Sequence, residues 1–237
     1  MQEIKGVLLM RQYATSFSEE NIKQNLKDST KNSSGTNVEF NNHNVTFFFP
    51  GYGKKQRILS DEIIGKIENG EITDIVDVGM GGALDPDLKM GDFVFGKGDI
   101  TIENNEPISE NIRPNAEEIF RKIAEENGRG FYNSKILTTE KIIGPKKDRI
   151  ELFKKTGAKI VQMEHIWFIE QIKNKLSEDA FKKLYITHLE IVSDEVPEKE
   201  NFFLSVWGIM KAVKYVIIDN QKNIGVFKTK FLKEFLK

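Results

Sequence analysis

Short apolar runs alternate along this chain with segments of helical spacing, and that alternation restricts the folds open to it. Residues 7–10, 45–49, 75–78, 93–95 and 131–137 are short apolar runs of the length of buried strands. Between them, apolar residues recur three and four positions apart. Ile58, Leu59, Ile63, Ile64 and Ile67 predict a helix over 55–67 with its C-cap at Asn69-Gly70. Asn115 with Glu118 three positions later predicts a capping box, opening a helix through Ile119, Phe120 and Ile123 that stops before Gly128. A further helix over 146–155 stops at Gly157. Residues 18–37 are polar, with a turn at Ser33-Ser-Gly35, and helical stretches over 203–213 and near Lys230 close the chain. Strand and helix in repeated alternation predict a single α/β domain over 1–237 with a largely parallel sheet.

Two apolar runs each deliver a carboxylate at their C-terminal ends. Lys159-Ile-Val-Gln-Met-Glu164 leads from a strand into a helix, and residues 184–186 and 189–192 end in Ser193-Asp194. In an open α/β sheet, side chains at the C-terminal strand ends line the ligand crevice, so Glu164 and Asp194 are the first candidates for chemistry. Each also has a plain structural reading. Glu164 suits the first turn of a helix, where an acid complements the dipole. Ser193-Asp194 before Glu195-Val-Pro197 suits an ordinary turn.

Composition narrows the classes of function. Hydrophobic residues make up 39% of the 237 and charged residues 30%, the balance of an ordinary folded domain. A formal net charge of -1 provides no field to recruit nucleic acid or an anionic membrane. The chain has no cysteine, which excludes disulfides, thiolate catalysis and cysteine-ligated zinc. No signal-peptide core and no membrane-spanning apolar run are present, and a cytoplasmic location is expected.

Several motifs fail on inspection. Gly79-Met-Gly-Gly82 lacks the third glycine of a dinucleotide fingerprint, and no helix can follow through Asp85-Pro86, so no nicotinamide cofactor is expected. Glycines at a strand end still let a ligand approach the backbone, with Gly81 the candidate contact. Pro50-Gly-Tyr-Gly-Lys54 lacks the upstream glycine and closing hydroxyl of a phosphate loop. His43, His165 and His188 share no metal-ligand spacing and read as surface or packing residues, so no metal is expected. Ser193 has no nucleophile-elbow context.

The order of the remaining motifs is more specific. Phe49-Pro-Gly-Tyr-Gly-Lys54, Val78-Gly-Met-Gly-Gly-Ala-Leu84, Leu88-Lys-Met-Gly-Asp-Phe-Val94, Gln162-Met-Glu164 and Val192-Ser-Asp194 follow one another. Together they resemble the purine nucleoside phosphorylase and nucleosidase superfamily, most closely its methylthioadenosine/S-adenosylhomocysteine nucleosidase branch. The resemblance implies a three-layer α/β/α domain with a mixed, largely parallel sheet, a small-molecule nucleoside as partner, no cofactor, and assembly as a homodimer or larger. It implies cleavage of an N-glycosidic bond. Met163 would pack under the ribose, Glu164 would accept from its hydroxyls, and Asp194 would donate a proton to N7 of the base. Ile142 and Ile143 would contact the base, Phe202 or Phe203 would cover the ligand, and Ser193 and Gly81 would complete the binding positions.

The chain also departs from its relatives. Where phosphorylases hold phosphate by an arginine and a serine, it has Asp77 and Met80, so this region is expected to be apolar and poor at binding anions. Ala14 replaces the glutamate that activates water in nucleosidases, and Glu190 replaces an arginine just before Ser193. Hydrolysis of an adenosine-like or modified nucleoside is the leading expectation. A phosphorylase with an unfamiliar phosphate site, using Arg11 or Arg57, and a nucleoside-binding protein with impaired catalysis are the alternatives.

Overall fold

The computed structural model describes residues 6–11, 29–32, 35–40, 43–48, 59–108, 111–197 and 234–235. Its strands are β1 (Gly6–Arg11), β2 (Ser29–Asn32), β3 (Gly35–Phe40), β4 (His43–Phe48), β5 (Asp74–Ala83), β6 (Phe93–Thr101), β7 (Phe131–Thr138), β8 (Ile160–Gln162) and β9 (Tyr185–Asp194). The helices are α1 (Asp61–Glu68), α2 (Ala116–Glu126), α3 (Lys146–Thr156), α4 (His165–Lys175) and α5 (Glu178–Lys183). None of these is long and apolar enough to cross a membrane.

The sheet is mixed, in the order β2-β3-β4-β1-β5-β8-β7-β6-β9, and β9 pairs again with β5. β5 runs parallel to β1 and β9 and antiparallel to β8. Sequence alone ends this strand at Val78, because glycine weakens a strand interior. The strand instead continues through the glycines to Ala83, since its last residues must reach two neighbours. A Cβ on Gly81 would stand 2.7 Å from the Val161 carbonyl oxygen, a clash that only glycine avoids. Phe93 likewise begins a longer strand than its three-residue apolar run predicts.

Apolar side chains on the two faces of the sheet meet different helices. Val76, Val78, Phe95, Leu189 and Ile191 pack with Phe120 and Ile123 of α2, and Phe235 joins them. Ile75 and Ile186 pack with Ile63 and Ile67 of α1 and with Phe168 and Ile172 of α4. The sheet thus lies between helices, as the alternation predicts.

The local corrections follow from capping and pairing. Ser60 is extended and its side chain accepts from the Ile63 N–H, so α1 begins at Asp61 and not at 55; residues 49–58 lie outside the described residues. Gly70 adopts φ +70° just beyond Asn69, the predicted stop. Asn115 precedes α2 but makes no side-chain cap bond, so the predicted capping box is not formed. Inside the predicted polar stretch, β2 and β3 form an antiparallel pair with Asn32 opposite Gly35. Residues 203–213 and Lys230 lie outside the described residues.

Asp92 explains the Lys89-Met-Gly-Asp92 step. Its carboxylate accepts from the Lys89 N–H at 2.8 Å and the Gly130 N–H at 2.9 Å, tying the turn before β6 to the start of β7. A buried ion pair fastens the other end of the sheet. Arg113 grips both oxygens of Asp74, Thr73 Oγ1 donates to Asp74 at 2.7 Å, and the guanidinium lies over the Tyr185 ring. Removing one partner of such a pair leaves a desolvated charge. Asp74→Asn should therefore destabilise the fold by about 3–5 kcal/mol in denaturant titrations; a loss under about 1 kcal/mol would contradict the clamp.

Candidate active site

The end of β5, the β8–α4 junction and the end of β9 enclose a cavity of about 420 Å³. Gly81, Ile142, Ile143, Met163, Glu164, Ser193 and Asp194 all line it, which brings together the described residues that the resemblance nominates for the nucleoside. Phe202 and Phe203 lie outside the described residues, as do Ala14 and Arg57. Ile142 is 73% exposed at the rim, whereas Ile143 packs against Leu137 and Val161.

Gln162 frees Glu164 from a capping role. The Gln162 side-chain oxygen accepts from the backbone N–H groups of Glu164 and His165, and its amide donates to Thr138 Oγ1 at 2.5 Å. Glu164 occupies the N-cap position of α4 but makes no side-chain cap bond to it. Its carboxylate instead accepts from the Met163 N–H at 3.0 Å and is 5% exposed. The plain reading of Glu164 as a first-turn acid is thereby replaced.

Adjacent strand residues point to opposite faces, yet Ser193 and Asp194 both reach the cavity. A bulge makes this possible: Gly81 pairs with Val192 and Gly82 with Asp194, leaving Ser193 as the extra residue. Ser193 Oγ lies 2.7 Å from Asp194 Oδ1 and 3.0 Å from the Gly81 carbonyl oxygen. Asp194 is thus a strand residue and not part of an ordinary turn.

Arg149 is the cavity residue that sequence reasoning misses. It is 1% exposed, with Nη2 2.5 Å from Asp194 Oδ2, and it donates to the Ile143 and Ala83 carbonyl oxygens. The only sequence signal is an arginine in the first turns of an otherwise lysine-rich helix, where its planar fork suits a buried carboxylate better than an ammonium. The expectation of an apolar region at the glycine turn is corrected at Gly82, where Arg149 and Asp194 stand. A Cβ on Gly82 would lie 3.2 Å from Arg149 Nη1 and 3.3 Å from Asp194 Oδ2.

The histidines also depart from expectation. His165 and His188 are fully buried and stacked, with ring centroids 3.7 Å apart. His165 Nδ1 is 2.7 Å from Asp77, His188 Nδ1 is 3.1 Å from Asp99, and His188 Nε2 is 2.8 Å from Glu190. Burial alone would lower the His188 pKa, but the charge and hydrogen bond of Asp99, aided by Glu190, hold it well above the usual value. Burial pushes the Glu190 carboxyl up to about 7; His188 opposes this, and the charges of Asp77 and Glu164 add to it. Asp77, His165 and His188 offer donor atoms within 4.8 Å of one another. Carboxylates face these nitrogens at hydrogen-bond distance, so the group is a hydrogen-bonded charge cluster. The His43 side chain lies outside the described residues.

Comparison with family models matches residues 13–167 to the phosphorylase superfamily. The chain belongs to that family. Solved structures share the fold of this phosphorylase-superfamily member. A Campylobacter jejuni 5'-methylthioadenosine/S-adenosyl homocysteine nucleosidase superposes with TM-score 0.64 at 17% identity, covering 95% of this chain and 97% of that one. The Helicobacter pylori nucleosidase of the same name, complexed with a substituted pyrrolidin-3-ol, gives 0.69 at 13% identity, covering 98% and 100%. Helicobacter pylori futalosine hydrolase gives 0.68 at 12% identity, covering 98% of each chain. Comparison with curated protein sequences gives no match.

Gly82 should be intolerant of a side chain, because Arg149 is held by carbonyls on two sides and cannot retreat. Gly82→Ala should destabilise the fold by about 1–3 kcal/mol and weaken ligand binding in the cavity. Thermal unfolding and calorimetry of the variant test this; unchanged values for both would show that the Arg149–Asp194 contact yields freely.

Proposed function

We propose that this chain hydrolyses the N-glycosidic bond of a purine-type nucleoside. The observation that carries the reading is the convergence of Glu164 and Asp194, from two separate strand ends, on one cavity of about 420 Å³, a volume suited to a small ligand. Glycosidic cleavage builds positive charge on the ribose and negative charge on the departing base. An anion at the sugar and a proton donor at the base both act on charge that exists chiefly in the transition state. Glu164 takes the sugar hydroxyls, Met163 packs against the ribose, and Ile142 and Ile143 border the base. Asp194 passes a proton to the base, with Ser193 and Arg149 fixing its two oxygens.

Hydrolysis is favoured over phosphorolysis by what surrounds the glycine turn. Asp77 is buried and bound to His165, and Met80 packs in the apolar core, so neither supplies a donor to phosphate. Arg149 stands close by, but Asp194 and the backbone carbonyls of Ile143, Ala83 and Glu195 take up its guanidinium. A panel of purine nucleosides, assayed with and without phosphate and scored by free base, tests the reading. Base should be released at the same rate in both. Phosphate-dependent release of ribose 1-phosphate would favour a phosphorylase, and tight binding without turnover a nucleoside-binding protein.

Two variants separate the roles. Asp194→Asn should lower turnover by about two to four orders of magnitude, the scale of a lost general acid, with nucleoside binding better preserved. Glu164→Gln should weaken ribosides by about 1.5–3 kcal/mol through loss of a charge-assisted hydrogen bond, while free bases bind almost as before. Equal weakening of ribosides and bases in the second variant would remove Glu164 from the sugar.

A further inference from the structure

Glu190 is a carboxylate of the buried cluster that combines support on one oxygen with a second oxygen lacking a donor among the described residues. Its Oε1 lies 2.8 Å from His188 Nε2, whereas Oε2 is buried and accepts no hydrogen bond from any described residue. Buried carboxylate oxygens rarely remain without a donor, and a water molecule is the donor most often supplied. On the backbone, Glu190 pairs with Gly79, directly before Met80 and Gly81 of the cavity wall, and the charge of Glu164 in that lining helps to raise the Glu190 pKa.

The support is ordered by protonation. A neutral imidazole carries one N–H and one lone pair, yet both ring nitrogens of His188 face carboxylate oxygens, at 3.1 Å and 2.8 Å. His188 is therefore an imidazolium gripping Asp99 and Glu190 together. His165, stacked on it, has Nδ1 2.7 Å from Asp77 and Nε2 3.5 Å from Asp99.

Resting on the nucleosidase reading above, we infer that Glu190 is the base that activates the attacking water, with His188 and Asp99 as positioning residues behind it. The water oxygen forms the bond to C1′ and its proton passes to Glu190 Oε2. The C1′–N9 bond breaks with its electron pair leaving on the base, which takes a proton through Asp194. Glu190 then returns its proton to solvent, and free base and ribose are the products. The chain thereby supplies from β9 the function that Ala14 cannot provide. A base working near neutrality is most effective when its pKa lies near the working pH, and burial holds Glu190 at about 7. The groups that set this value are His188 on β9, Asp77 on β5, Glu164 on α4 and, through His188, Asp99 on β6.

The test uses the full chain and the best substrate from the nucleoside panel. kcat/KM should rise with pH to a plateau through a midpoint of about 7, because Glu190 must be ionised to act. Glu190→Gln should slow base release by about 10²–10⁴-fold and abolish that limb, with nucleoside binding retained by calorimetry. His188→Asn removes the cation that favours ionised Glu190, so its midpoint should move to higher pH, a displacement that mere loss of packing would not produce. Should Glu190→Gln fail to fold by circular dichroism, the wild-type profile and the His188→Asn displacement decide the matter. Wild-type turnover that persists in Glu190→Gln, or a profile without the limb, would overturn Glu190 as base and leave the glycosidic reading standing. A wild type that releases no base from any nucleoside would overturn both.

Discussion

β5 and β9 lie side by side in parallel from Asp74 opposite Tyr185 to Gly82 opposite Asp194, and this pairing holds the molecule's chemistry in place. It carries apolar side chains outward to the helices on both faces. It also sets Asp77 opposite His188 and Gly79 opposite Glu190, so the buried charges lie in the middle of the sheet. At the far end, the bulge at Ser193 turns two successive side chains into the cavity. A one-residue slip in this pairing would send each of these groups to the wrong face.

Much of this was legible in the sequence because it depends on local rules. The apolar runs, the glycine stops at Gly70 and Gly157, and the two carboxylates at strand ends all follow from spacing and backbone preference. Polar β2 and β3 escaped notice because a hairpin at a sheet margin needs no apolar face to announce it. The glycine run was taken for a strand end, although close contact with β8 was the reason for glycine there. Arg149 and the stacked histidines were invisible for a different reason. Their partners Asp194, Asp77 and Asp99 lie 45 to 89 positions away in the chain, and only the fold reveals that the charges are matched.

The site concentrates desolvated charge to an unusual degree. Asp77, Asp99, Glu164, Glu190, His165, His188 and Arg149 are each 5% exposed or less. Taking such groups out of water is costly, and they persist only where opposite charges and hydrogen bonds offset that cost. Here Arg149 serves Asp194 on one side of the cavity, and His188 serves Asp99 and Glu190 behind it. The two cations are separate, so Asp194 and the carboxylates behind the cavity can be tuned independently.

The topology has one more consequence, for how the chain behaves among its own copies. Pairings through β5, β8, β7, β6 and β9 return to their start, so that part of the sheet offers no free margin. Among the described strands, β2 alone has a single neighbour, β3. Its sequence is Ser-Thr-Lys-Asn, four residues long, polar and carrying one positive charge. A short, hydrophilic outermost strand with a lysine is a poor template for strand addition by a second molecule. The hairpin that the apolar pattern failed to reveal thus gives the described strands an outer margin ill-suited to aggregation.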